Sequence, residues 1–158
     1  MLEKASLEEL KDRWNKNNEL LTSMASEILE NNLDIYSYVA SKLFNVTYED
    51  CIHDSPVGYI LRSVARKLCL DGYDSLGNHS DLVVNKLSES YSIPDLANRL
   101  ISAFPYTKLS MEYKEIERYE KIRSSAYFLH SLTWHVNFCR LMSEQEAMNK
   151  EYFETEDK

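Results

Sequence analysis

The run from Ser124 to Met142, SSAYFLHSLTWHVNFCRLM, constrains the chain more than any other stretch. It holds Tyr127, Phe128, Leu129, Leu132, Trp134, Val136, Phe138, Leu141 and Met142, and its only unambiguous charge is Arg140. Wound as a helix it is apolar almost all the way round, which is the pattern of a buried element. A membrane span needs about 20 largely apolar residues. Here His130, His135, Asn137, Arg140 and the hydroxyls of Ser124, Ser125, Ser131 and Thr133 interrupt the run. A charge near the bilayer centre costs about 3 kcal/mol even on lenient scales, and the mean hydropathy of the chain is −0.46. The stretch reads as the central helix of a soluble bundle, and no membrane association is expected.

The surrounding chain supports helices. Its 158 residues suit one domain with a real core, and 44% of them are aliphatic or aromatic. There are only three glycines and three prolines, whereas a β-sandwich needs a turn about every 8–12 residues. The fold class expected is all-α: a single-domain bundle of six to seven helices around this C-terminal-half helix. The bundle is assigned to residues 1–142, and 143–158 to an acidic C-terminal helix or tail carrying six acidic and two basic residues.

In chain order, Ser6 and Glu9 form a capping box that opens a helix running to about Asn31. Along it Leu7, Leu10, Trp14, Asn17, Leu21, Met24 and Ile28 make a heptad seam with one polar entry, Asn17, where a coiled coil would fix register. Such a seam either packs on its own domain or joins copies of the chain into a homo-oligomer. A second helix is expected over 34–44, then a loop over 45–56. A third runs from the Ser55-Pro56 start to Asp71-Gly72. Short helices over 81–91 and 94–104 follow. A charged helix over 111–123 leads into the central one, with a break near Met142 where Ser143 and Glu146 could cap a last short helix.

Four constellations could carry chemistry. His53-Asp54 with His79 and Asp81 has the composition of the HD-type metal phosphohydrolases, which are all-helical; imidazole and carboxylate can hold a divalent metal that activates water. In that family the pairs sit on helices within a longer ligand series, whereas here both fall in or beside loops. His130 and His135 stand about 140° apart on a helix and cannot share a metal from one face. His135 and Cys139, four apart, could, but a histidine bonded to a neighbouring helix is the simpler reading. Residues 81–104 have the outline of a helix-turn-helix, yet the second helix offers a DNA reader only Asn98 and Arg99 beside Asp95. Last, Arg62, Arg66 and Lys67 form a basic cluster opposite the apolar stripe of the third helix, where Arg62 and Arg66 should be exposed.

The standard phosphate-loop, dinucleotide, zincin, hydrolase-elbow and calcium-loop motifs are absent from the sequence. The segment DIYSYVASKLFNVTYEDC, Asp34 to Cys51, resembles a segment of family A DNA polymerases that precedes their fingers helix. Of the helix that follows in that family, only Arg62 and Arg66 are matched, the lysine is replaced and the Tyr-Gly is missing. No aspartates stand in the contexts such an enzyme needs for its metals, so no function is carried over.

The net charge of −8 argues against broad nucleic-acid binding, which displaces counterions with Lys and Arg. Three cysteines without a CxxC pair suggest neither a disulfide framework nor a closed zinc site, and the amino terminus lacks the regions of a signal peptide. A reducing, cytoplasmic setting is expected, with no cofactor and no resident metal. Eleven tyrosines and two tryptophans supply anchors for protein contact. The expected function is therefore binding to a protein partner, as a regulator, inhibitor, immunity-like or accessory factor without catalysis of its own. The surface expected to do so comprises Leu10, Trp14, Asn17 and Leu21 with Arg62 and Arg66. The alternatives are a metal-dependent phosphohydrolase using His53, Asp54, His79 and Asp81, and a helix-turn-helix DNA-binding regulator.

Overall fold

Every regular element in the computed structural model, which describes residues 3–52, 56–72, 93–107 and 113–156, is a helix. In order these are α1 (Leu7–Glu30), α2 (Ile35–Phe44), α3 (Tyr48–Ile52), α4 (Pro56–Asp71), α5 (Ile93–Ala103) and α6 (Arg118–Glu156). No strand occurs among the described residues; the single extended pairing is a bridge between Lys4 and Tyr113. The chain is all-α, as its scarcity of turn residues predicts.

Local chemistry sets the helix ends. The Ser6 hydroxyl accepts the Glu9 amide at 3.2 Å and starts α1, and the Asp34 carboxylate accepts the Ser37 amide at 2.9 Å and starts α2. Helix α1 stops at Asn32 in a left-handed conformation (φ 51°), with the Leu33 amide donating back to the Ile28 carbonyl at 2.9 Å. Asn45 (φ 53°) ends α2 similarly, with Val46 bonding back to Ser41. Both are Schellman-type closures with asparagine in place of the commoner glycine. Helix α3 lies inside the expected loop over 45–56; Thr47 accepts the Asp50 amide at 3.2 Å and nucleates it.

One core joins all these helices. Its fully enclosed side chains include Ile28 from α1, Val39 and Leu43 from α2, Val64 and Leu68 from α4, Leu100 from α5, and Phe128, Leu129, Leu132 and Val136 from α6. At about 25 cal/mol per Å² of apolar surface, each such side chain contributes roughly 1.5–3 kcal/mol. Polar groups drawn into the core are bonded there: the Ser125 hydroxyl donates to the Phe104 carbonyl at 2.6 Å and Thr133 to the Leu129 carbonyl at 2.7 Å.

Helix α1 runs beside α6 in the same direction and is pinned at both ends. At the start, Arg13 donates to the carbonyls of Tyr113 and Lys114 at 2.6 and 2.9 Å, and the Lys114 amide donates to the Glu3 carbonyl at 2.7 Å. At the far end the guanidinium of Arg140 donates to the Leu33 carbonyl in the α1–α2 turn.

Three expectations are corrected here. The helix expected over 111–123 begins only at Arg118, because residues 113 and 114 pair with the amino-terminal segment instead. The break near Met142 does not occur: α6 is one helix of 39 residues, and no glycine or proline follows Pro105 to interrupt it. Finally, the central helix is buried on one face only. Phe128, Leu129, Leu132 and Val136 are fully enclosed, while Trp134 between them is 67% exposed and Phe138, Leu141 and Met142 also face outward. The helix expected over 81–91 lies outside the described residues.

Candidate protein-binding surface

The side chains singled out on α1 divide along its length. Leu7 and Trp14 are exposed, Leu10 and Leu21 half-buried, and Ile28 fully enclosed. The seam thus sinks into the domain as it approaches the α1–α2 turn. Asn17 is buried, and its amide pairs with a backbone peptide inside the same chain. Its Nδ2 donates to the Thr107 carbonyl and its Oδ1 accepts the Thr107 amide at 3.1 Å. That pairing fastens the segment after α5 to α1, and it accounts for the polar entry without a second helix.

Arg62 is not the exposed cation that helical spacing suggests. It is half-buried, and its Nε and Nη2 reach Asp34 Oδ2 and Oδ1 at 2.8 and 3.2 Å. Its guanidinium also lies over the Tyr36 ring, 5.3 Å from the centroid, with Arg66 over the same ring at 6.0 Å. Arg66 is exposed. The Asp34 backbone amide donates to the Tyr48 hydroxyl at 2.8 Å, so this node holds α2, α3 and α4 together. Burial pushes the Asp34 carboxyl up, but the hydrogen bonds from Arg62 and Ser37 outweigh it and hold the group below its ordinary range.

Among the described residues, the most conspicuous open apolar surface is on α6. Tyr127, Trp134, Phe138 and Leu141 project from it, and the rings of Trp134 and Phe138 stack with centroids 5.8 Å apart and planes 7° from parallel. This ridge separates two apolar grooves. One opens towards α4 and is floored by Leu70, Thr133 and Leu141; the other opens towards α1 and is lined by Leu21, Tyr127 and Ser131. His130 borders both grooves, and its Nδ1 donates to the Cys69 carbonyl at 3.2 Å, which fixes the ring against α4. Trp14 stands two turns before Leu21 on the same α1 face, in line with the α1-side groove. Sequence reasoning missed the ridge by treating the whole run as core. The signal that could have found it is the seven-residue recurrence of Tyr127, Trp134 and Leu141 on one face.

The chemical alternatives fall largely outside the described residues. His53, Asp54, His79 and Asp81 lie outside the described residues, and among the described residues no three metal-ligating side chains gather. His135 Nε2 lies 3.8 Å from Cys139 Sγ as an exposed i,i+4 pair. Of the two candidate base readers on α5, Arg99 bonds Asp95 at 2.8 Å and Asn98 accepts from Arg118 at 2.7 Å. The other half of the helix-turn-helix outline lies outside the described residues. No described helix is long and apolar enough to cross a membrane. No family model, curated protein or solved structure matches the chain.

Proposed function

We propose that this chain works by binding protein through the outer face of α6, as a regulator, inhibitor, immunity-like or accessory factor without catalysis of its own. The observation that carries the reading is the stacked Trp134–Phe138 ridge with an apolar groove on either side. Contiguous apolar surface of this kind marks interaction sites on soluble proteins, and aromatic anchors beside pockets supply most of the energy in such contacts. The exposed Leu7 and Trp14 of α1 extend the surface, and Arg66 adds a cation near α2. The net charge of −8 disfavours nucleic acid as the ligand. Three free cysteines, two of them buried, fit a reducing cytoplasmic setting.

The test replaces Ser131, beside the ridge, with a photo-crosslinking residue and maps the protein captured. The reading expects a defined crosslinked protein that disappears when Trp134→Glu is added. A crosslinking pattern unchanged by Trp134→Glu would remove α6 as the binding face.

A further inference from the structure

The exposed face of α6 has a register that names its partner. Tyr127, Trp134, Leu141 and Met148 stand seven residues apart, and Ser131, Phe138, Gln145 and Tyr152 fill the alternate places. These are the d and a positions of a heptad seam, running about 38 Å along the helix. Its first half lies on the bundle. Its second half projects past it, since every residue from Leu141 to Tyr152 is exposed. The outer face of that half carries Met148 and Tyr152, both largely exposed.

We infer that this seam pairs antiparallel with the same seam of a second copy of the chain, so that the projecting half of each α6 lies along the Trp134–Phe138 ridge of the other. The inference rests on the reading of α6 as a protein-binding face and gives that face its occupant. Register supports it first. Setting Phe138 against Leu141 of the second copy brings Ser131 against Met148, Trp134 against Gln145 and Tyr127 against Tyr152, so that Trp134 and Phe138 each meet a smaller or more flexible neighbour and the two tyrosines face each other.

Charge supports it next. The same register sets Glu151 and Glu144 of the second copy beside His130 and Asn137, so that no two carboxylates face each other across the seam. A parallel pair would instead bring the two acidic ends together, which like-charge repulsion opposes. It would also press two whole bundles against each other, whereas the antiparallel pair sets one bundle against a single helix.

Area is sufficient as well. Tyr127, Trp134, Phe138 and Tyr152 are each about half exposed or more, which at 150–250 Å² per aromatic side chain amounts to roughly 400 Å² per copy. Leu141, Met142 and Met148 extend this towards the ~800 Å² per partner of a standard interface.

The experiment is light scattering on the size-fractionated full chain at tens of micromolar. Wild type is expected at twice its 18.5 kDa, and Trp134→Glu/Phe138→Glu at the single mass with a cooperative melt retained. Met148→Lys, in the projecting half where it cannot disturb the bundle, is expected to be monomeric too. Orientation is read on a Cys139→Ser background. Ser131→Cys and Met148→Cys chains, mixed and oxidised, should give a linked heterodimer, while neither links to itself. A monomeric wild type, a dimer that survives these changes, or self-linking of Ser131→Cys would overturn the inference. The two readings separate cleanly. A monomeric wild type whose Trp134-dependent crosslink is to another protein ends the self-pairing and leaves the binding face standing; a ridge on which Trp134→Glu alters neither mass nor crosslinking ends both.

Discussion

Arg62 grips Asp34 through two guanidinium nitrogens, and the carboxylate it grips is the one that caps α2. One side chain therefore closes a helix start and an interhelical pair together. Replacing Arg62 with Lys keeps the charge but loses the two-point geometry. With both partners about a third exposed, solvent screening limits the loss to about 1 kcal/mol. Arg62→Ala also removes the guanidinium over Tyr36 and should cost about 2 kcal/mol, read by urea unfolding.

The same pair sets an acid limit. The Asp34 carboxyl titrates below its unfolded value of 3.8 in the folded chain. Its contribution is therefore present above that value and fades as pH falls through the lower, folded one. Wild type should lose stability below about pH 4 more steeply than Asp34→Asn, which starts weaker but titrates less. Parallel acid curves for the two would show that Asp34 is not the group responsible.

Asn17 answers a different question. If its role were to hold register between copies, an aliphatic replacement would raise stability, as it does at polar positions in coiled-coil seams. Bonded as it is to both groups of Thr107, Asn17→Leu should instead lower stability by about 1–3 kcal/mol, since it strands two peptide groups. Hydrogen exchange at the Thr107 amide should quicken in step.

Neighbouring positions on α6 should behave in opposite ways. Leu132→Ala opens a cavity among fully enclosed side chains and should cost 2–5 kcal/mol. Trp134→Ala, two residues on and 67% exposed, should change the stability of the bundle by no more than about 0.5 kcal/mol. Circular dichroism melts at sub-micromolar protein, where association does not contribute, make the comparison.

Thiol reactivity offers a check on the core. Cys69 is wholly enclosed, and burial pushes its thiol up to about 12; burial also raises Cys51. Only Cys139 is partly open. A thiol reagent at pH 8 should label one cysteine per folded chain quickly and the other two only on unfolding, because the thiolate is the reactive form. Rapid labelling of all three would contradict the enclosed core.

The sequence carries the helices plainly and their surroundings less so. The Ser6 cap, the Pro56 start and the end at Gly72 follow from local rules, because capping bonds span only three or four residues. The short helix at Tyr48 was legible too, through Thr47 and Asp50, but its brevity hid it inside a polar stretch. What periodicity could not decide was which apolar face turns inward. On α6 both faces are apolar, and only the positions of α1, α4 and α5 select Leu129 and Leu132 over Trp134 and Phe138. Arg62 was misplaced for a related reason. Helical spacing put it opposite the stripe, whereas its partner Asp34 lies 28 residues away and no local rule joins them.

The link from Arg140 back to the α1–α2 turn joins residues 107 positions apart, and this has a consequence for biosynthesis. Helix α1 leaves the ribosome long before the surface it packs on exists. At roughly 5–20 residues per second, that surface follows ~5–20 s later. Most helical stability in a folded domain comes from tertiary packing, and Leu21, Met24 and Ile28 lack the α6 surface throughout that interval. The core closes only once α6 has emerged, and a nascent-chain binder such as a chaperone has that window in which to act.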